Sequence, residues 1–581
     1  MKRSLLAFTM IAGGALAAAG GLAHAQSVFD QASRQADEIA RQNSANEIEE
    51  RLGTVSRVFR APSSEQIGPR VWANPSGRDG CVNIQSISVS GVRLVSPKEL
   101  KKVVSAWEGK CIGLSDINNV LEAVTNLYMQ QGYVAARAYI LEQDLSLGTL
   151  QAEVVEGKLE DIQSSGSGSG RQMATAFPGM VGKPVNLRDV EQGLDQINRM
   201  RSHSATLDLK AGDEPGGSVL HVVMAKAKPW WMSFSSNNLG SDTTVRTQSR
   251  VDLGLENLFS LNDEWKFAYQ RSMRGGPLNF SNERPNGNGF EGAFSVPYGY
   301  WLFGLGGSWS DYRTQLKTAF GPVPTSGHSN SISAYATRVL HRDQISKTWV
   351  TGRLARKSSE NFLLANRIET SSRVSTVVTA EVGHSRRIAG GEATALFGLH
   401  RGIKAFGATG GKGTGSPGAE FSKLTAALSY NRPLKLNNLD LTIRSSLVGQ
   451  WSDDVLSGSE QLALGGHSTI RGTREGLYFG RSGAYWRNEL AARLPAAEKP
   501  SLNAFFGPLE PYVAVDIGRV WNGGEMKAGS GSMVGGALGV RNAKGRLNFD
   551  FSYAKVLATS AEPGSVAPKD GIFLAKLSVN F

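Results

Sequence analysis

The chain has 581 residues, more than one small domain needs, with 68 glycines and a hydrophobic fraction of only 40%. That composition disfavours a bundle of membrane helices and suits strands with one wet face and many turns. The formal charge is +12, but its basic residues are scattered, so no nucleic-acid partner is expected; the charge suits a channel lining or anionic lipopolysaccharide.

Residues 1–25 begin with Lys2 and Arg3, run apolar from Leu5 to Leu22 and end in Ala23-His24-Ala25, which predicts a secretory signal peptide cut before Gln26. Elsewhere no stretch is long and apolar enough to span a membrane as a helix. Between 26 and 52, Phe29, Ala32, Ala36, Ile39 and Ile48 form a thin helical stripe among many charges, and Gly53 ends it. Such a helix is about 40 Å long. Its polarity fits a wet lumen, or equally a solvated, partly helical tail. Residues 53–79, with Pro62, Pro69 and Pro75, read as a linker.

Two α+β modules come next. In the first, over 80–160, Val82, Ile84, Ile87 and Val89 suggest a strand, and Ser96-Pro97-Lys98-Glu99 has capping-box spacing with proline at the first helical position. A second helix opens at Ser115-Asp116 and stops near Gly132, and strands are expected at 136–142 and 150–156. Cys81 and Cys111 are the only cysteines. On an exported chain they predict a disulfide, and no His or Cys cluster accompanies them to make a metal site. The run from Ser164 to Gly170 is expected to separate a second module, over 161–228. There Asn186 caps a helix, and two strands flank the turn Asp213-Glu214-Pro215-Gly216-Gly217.

From 229 to 581 the period is two. Val251, Leu253 and Leu255 alternate with Asp252, Gly254 and Glu256; Leu547, Phe549, Phe551 and Tyr553 alternate with Asn548, Asp550 and Ser552. Each strand has one greasy and one wet face, as in a barrel or a soluble sandwich. Within this region Leu464-Gly465-Gly466-His467-Ser468-Thr469-Ile470-Arg471-Gly472-Thr473 is neither an ordinary strand nor a turn. Farther on, Val513, Val515 and Ile517 alternate with Ala514 and Asp516, so a strand with its apolar side in lipid points Asp516 inward. An arginine on a Gly-rich loop and a lumen-facing carboxylate are natural partners.

These two segments resemble those of the outer-membrane transporters of two-partner secretion, relatives of the barrel-assembly and chloroplast import channels. The matching residues are the loop tip Ile470-Arg471-Gly472 and the strand Tyr512-Val513-Ala514-Val515-Asp516-Ile517-Gly518. The tip departs from the family pattern at Thr473, where an aromatic is usual. Gly132-Tyr133, Val154-Val155-Glu156-Gly157, a predicted strand at 295–301 and the stretch Tyr485-Trp486-Arg487-Asn488-Glu489-Leu490 also fit. At the C-terminus Phe573, Ala575, Leu577, Val579 and Phe581 share a face, similar to the signal by which the barrel-assembly machinery inserts outer-membrane barrels.

The resemblance implies a mostly β chain: a plug helix at 26–52, two periplasmic POTRA domains and a transmembrane antiparallel barrel of about 16 strands. It also implies that Arg471 pairs with Asp516 and that the POTRA domains capture a secreted exoprotein by β-augmentation. The expected function is nucleotide-free export of one large unfolded partner (an adhesin, a haemolysin or a contact-dependent toxin), with no cofactor and no catalysis. A sister-branch role, inserting other barrels, is the alternative. An outer-membrane enzyme is disfavoured because the histidines lie in no nucleophile arrangement, and a passive porin would leave the two modules and the arginine loop unexplained.

Overall fold

The computed structural model describes residues 32, 33, 35, 36, 39, 41 and 80–581, the last span without 167, 226–227, 242–244, 275–284, 319–320, 411–416, 496–504, 524–528, 543–544 and 562–569. The predicted signal peptide, the linker and most of the predicted N-terminal helix lie outside the described residues.

The first module holds strands β1 (Val82–Ile84), β2 (Ser86–Ser90), β3 (Lys110–Ile112), β4 (Arg137–Ile140) and β5 (Thr149–Val155), with helices α1 (Pro97–Val104) and α2 (Leu114–Gln130). β2 runs parallel to β5 and β4 antiparallel to it, while β1 pairs with β3. Ser96 opens α1 by accepting from the Glu99 N–H at 3.3 Å, and its own hydroxyl donates to the Glu99 carboxylate at 2.9 Å. The helices bury Val104, Val120, Val124 and Tyr128 against Ile84, Trp107 and Leu150. A disulfide joins Cys81 to Cys111, closing the β1–β3 pair onto itself. Glu156 accepts from the Tyr128 hydroxyl and from the N–H groups of Arg93 and Leu94, so one carboxylate ties the end of β5 to α2 and to the α1 approach. Burial, and then this carboxylate, push the Tyr128 hydroxyl pKa well up.

The second module holds β6 (Lys158–Gly166), α3 (Gly170–Ala176), α4 (Leu187–Asn198), β7 (Ala205–Ala211) and β8 (Gly217–Met224), with β8 central. Here the expected boundary is corrected, because Lys158 already pairs with Gly217 and the second sheet begins there rather than at 161. The run 164–170 is not a spacer. Ser164, Ser165 and Gly166 end β6 opposite Val222, Val223 and Met224, and Ser169 caps α3. Serine and glycine suit strand ends and helix caps as well as linkers, and composition alone does not separate these.

Sixteen long strands close the barrel. The first eight are β9 (Trp230–Asn237), β10 (Gln248–Glu256), β11 (Glu264–Met273), β12 (Asn286–Tyr298), β13 (Trp301–Thr318), β14 (Gly321–Arg342), β15 (Ser346–Leu363) and β17 (Arg373–Ile388), with a two-residue β16 (Asn366–Arg367) folded onto β15. β18 (Gly391–Gly402), β19 (Phe421–Leu436) and β20 (Leu439–Trp451) continue the wall. A small hairpin of β21 (Leu462–Gly465) and β22 (Gly476–Gly480) then interrupts the series, before β23 (Ser482–Arg493), β24 (Leu509–Trp521), β25 (Gly531–Asn542), β26 (Leu547–Ala561) and β27 (Ile572–Asn580). β27 pairs back with β9 and closes the wall. The period-two reading holds on β24: Val515 is 48% exposed and Asp516 0%. On β27, Phe573 and Leu577 lie on the exposed face with the terminal Phe581.

The expected single strand at 295–301 is instead a hairpin, β12 turning into β13 at Gly299-Tyr300. Gly299 has φ +56°, which its missing Cβ permits. This turn receives the second module. Gln196 on α4 donates to the Gly299 carbonyl at 2.8 Å, and the Tyr300 hydroxyl donates to Asp189 at 2.6 Å. Arg199 reaches Glu264 at 2.9 Å and Ser295 at 2.7 Å, while Lys347 reaches Asp195 at 2.7 Å. One helix thus grips three consecutive turns of the barrel mouth.

Candidate functional site

Between β20 and β23 the chain does not simply turn; residues 452–481 fold into the barrel as the β21–β22 hairpin with a tip at 466–475. Its own side chains shape the tip. Thr469 accepts from the Gly465 N–H at 2.9 Å and donates to the Gly465 carbonyl at 2.7 Å. Thr473 accepts from the Gly466 N–H and donates to the Glu475 carbonyl, both at 2.8 Å. Where the family has an aromatic, a buried hydroxyl staples the two limbs together. Arg487 on β23 donates to the carbonyls of Ser468 and His467 from the wall side.

Ile470, fully buried, packs among Leu464, Tyr485, Met533 and Val556. Arg471 meets Asp516 on β24 through Nε and Nη2, both at 2.7 Å, and its main-chain N–H donates to the same carboxylate at 3.0 Å. A carboxylate facing a fork of donors in a dry setting makes strong, directional bonds. Gly472, at φ +123°, lies against the wall: a Cβ there would sit 2.6 Å from the main chain of Lys555 and Val556. Opposite it, a Cβ on Gly535 would sit 1.9 Å from the Arg471 carbonyl oxygen. Next to that contact the β25–β26 register shifts between Val534 and Gly535, a bulge that reshapes the wall under the tip.

The pair belongs to a larger charge network. Glu489 accepts from Arg471 at 3.3 Å, from Arg444 at 3.1 Å and also from Arg541. Glu510 takes Arg493 at 3.0 Å, Arg444 at 3.4 Å and Arg541 at 3.5 Å. The loop's outgoing limb reaches the barrel seam. Arg474 donates to the carbonyls of Asn238 and Phe573, on either side of the closure between β9 and β27.

Ile470, Arg471, Gly472 and Asp516 are therefore in one place. Glu489, Arg444, Arg541 and Gly535 complete that place; of these the sequence marked only Glu489, inside the stretch Tyr485–Leu490 and with no role assigned. Arg444 stands directly across from Glu489 in the ladder, a relation that requires the register. Gly535-Gly536 inside a strand was the available signal for a close backbone approach.

The described N-terminal residues touch the inner wall and this loop. Ala32 packs with Leu363 and Ile368, Ser33 lies 3.3 Å from the Thr370 hydroxyl, and Gln35 accepts from Thr325 at 3.1 Å. Arg41 lies over the Phe479 ring at 3.8 Å and donates to Gln461 at 3.4 Å.

Residues 216–542 match the family model of the haemolysin secretion/activation proteins ShlB/FhaC/HecB. The chain belongs to this family. Residues 82–157 and 158–211 match POTRA-domain models, the first of ShlB type. The chain is 35% identical to the outer membrane transporter CdiB of Dickeya dadantii, over 79% of its length and 80% of the relative's. It is 28% identical to the hemolysin transporter ShlB of Serratia marcescens, over 83% and 84%. Among solved structures, CdiB from Escherichia coli superposes with a TM-score of 0.84 at 28% identity, covering 94% of this chain and 98% of that one. Family and architecture together make this chain an outer-membrane transporter of two-partner secretion, with its POTRA domains in the periplasm.

Proposed function

We propose that the two POTRA modules capture a large, unfolded exoprotein and pass it to the barrel, that the N-terminal helix leaves the lumen to admit it, and that the Arg471 loop holds the channel's shape. The observation that supports this reading is the contact of Arg41 with Phe479 and Gln461, an N-terminal residue against the folded-in loop. Exposed strand edges at β2 and β7 support capture by strand addition. Relatives named CdiB reach 35% identity and the haemolysin transporters 28%, which favours a partner of the kind CdiB transporters export. The chain carries no phosphate-binding P-loop, so passage is driven by binding and by folding outside, with no catalytic step.

The test is deletion of residues 26–52. In planar bilayers the inserted barrel should conduct in larger or more frequent steps than the full chain. Unchanged conductance with normal insertion would remove the plug from this reading.

A further inference from the structure

The incoming limb of the folded-in loop carries a charge that its tip does not explain. Glu460 is 3% exposed, and its carboxylate meets Lys423 on β19 at 2.7 Å and Lys357 on β15 at 3.2 Å. Its main chain is held too, since its carbonyl accepts from Gln450 Nε2 at 2.8 Å and from Lys423 Nζ at 3.2 Å. Three barrel strands thus converge on one loop residue. Beside it lies a cavity of about 120 Å³, lined in part by Lys357, His400, Lys423 and Glu460, so between the packed Leu456 and Leu462 the limb is held at Glu460 itself by charged contacts.

The seat of the N-terminal helix begins at the very next residue. Gln461 accepts from Arg41, and β21 opens directly after it. Ala463 on β21 pairs with Phe479 on β22, whose ring underlies the Arg41 guanidinium. A rigid Glu460 therefore places both surfaces that Arg41 touches. The tip anchor at Asp516 lies at the other end of the hairpin and does not reach them.

We propose that Glu460 is a second, separate anchor of the folded-in loop, a positioning residue that holds Gln461 and Phe479 as the seat of Arg41 and so keeps the N-terminal helix in the pore. It rests on the reading of that helix as a plug.

The experiment reads helix position rather than export, so its failure is distinct from failure of the transport reading. In the full chain, Ser33→Cys and Thr370→Cys introduce a pair at a site where the hydroxyls are 3.3 Å apart, and the native disulfide leaves no free cysteine among the described residues. Disulfide yield between the two then reports the seated helix, with heat-modifiable gel migration as the check on barrel folding. Glu460→Gln should lower the ratio of cross-linked to free chain about fivefold or more, the scale of a lost buried charge contact. Lys357→Gln, which removes only the longer of the two contacts, should give an intermediate fall and carries the test if Glu460→Gln does not fold. Arg41→Ala should lower the ratio as Glu460→Gln does, and the two together no further than either alone. Full yield in the folded Glu460→Gln or Lys357→Gln chain would overturn the proposal, as would additive losses with Arg41→Ala, since Glu460 would then act by another path.

Discussion

The Asp516 carboxylate receives both the guanidinium and the main-chain N–H of Arg471, so a single residue of β24 fixes the side chain and the backbone of the loop tip at once. Removing Arg471 leaves the fully buried Asp516 carboxylate without its mate, at a cost of about 3–5 kcal/mol, whereas removing Asp516 leaves Arg471 with Glu489 alone at 3.3 Å. Arg471→Ala and Asp516→Ala should each impair export while the barrel still inserts, because neither residue belongs to the lipid face. The double variant should lose less than the sum of the singles, with a coupling of roughly 0.5–3 kcal/mol. A double-mutant cycle on partner export, normalised to inserted transporter, measures this; strict additivity would separate the pair from the function.

Gly535 makes an independent case for the tip position. Gly535→Ala places a methyl where the Arg471 carbonyl now lies, and both sides of that contact are main chain, so the loop or the strand must move. Overpacking of this kind costs about 1–3 kcal/mol. Export should fall toward the Arg471→Ala level with heat-modifiability retained. Gly536→Ala is the matched control, since its methyl would meet only the flexible Leu557 side chain at 3.0 Å. Equal export by both variants would count against the close approach.

The parts of this arrangement that were legible in the sequence are those carried by local pattern. Alternation alone sends Asp516 inward and Val515 outward, and three glycines with a lone arginine mark the tip whatever the rest of the wall does. Register is different, because it depends on which residue of β20 stands opposite which residue of β23, and that is set by every hairpin before it. Arg444 and Glu489 thus read as two more polar alternations until the ladder sets them face to face. Glu460 was hidden for another reason: in Ser457-Gly458-Ser459-Glu460 it reads as a solvated loop carboxylate, and only the inward fold of the loop buries it. The boundary at 158 was obscured by serine and glycine serving as strand end and helix cap.

The Cys81–Cys111 disulfide closes a loop of 30 residues in sequence, worth about 3–4 kcal/mol in the chain-entropy description. β1 and β3 are only three residues each, and apart from the disulfide the pair is held by its short ladder and by Ile84 and Ile112 in the core. Replacing both cysteines with serine should lower the midpoint of thermal protease sensitivity of the first POTRA domain by at least about 10 °C. The barrel's own unfolding should not change. An unshifted midpoint would assign the module's stability to the core around Trp107 and Tyr128 instead.

The grip of α4 on the barrel mouth should loosen with acid. Burial pushes the Asp195 carboxyl up, but the adjacent Lys347 and Arg342 charges outweigh it and hold it below the ordinary carboxylate range. A depressed carboxyl contributes docking free energy that is fully present above its ordinary pKa and is lost as pH falls through its lowered value. Between neutral pH and about pH 5 the contact should therefore be constant, and it should weaken only below the usual aspartate range of about 4. Asp195→Asn should reproduce the loosened state at neutral pH and flatten the acid response. Spin labels on α4 and on the β14–β15 turn would read this as a broadened distance distribution. A distribution that stays narrow in Asp195→Asn would mean that Arg199, Gln196 and Tyr300 suffice to hold the domain, and that Asp195 only neutralises the two cations it faces.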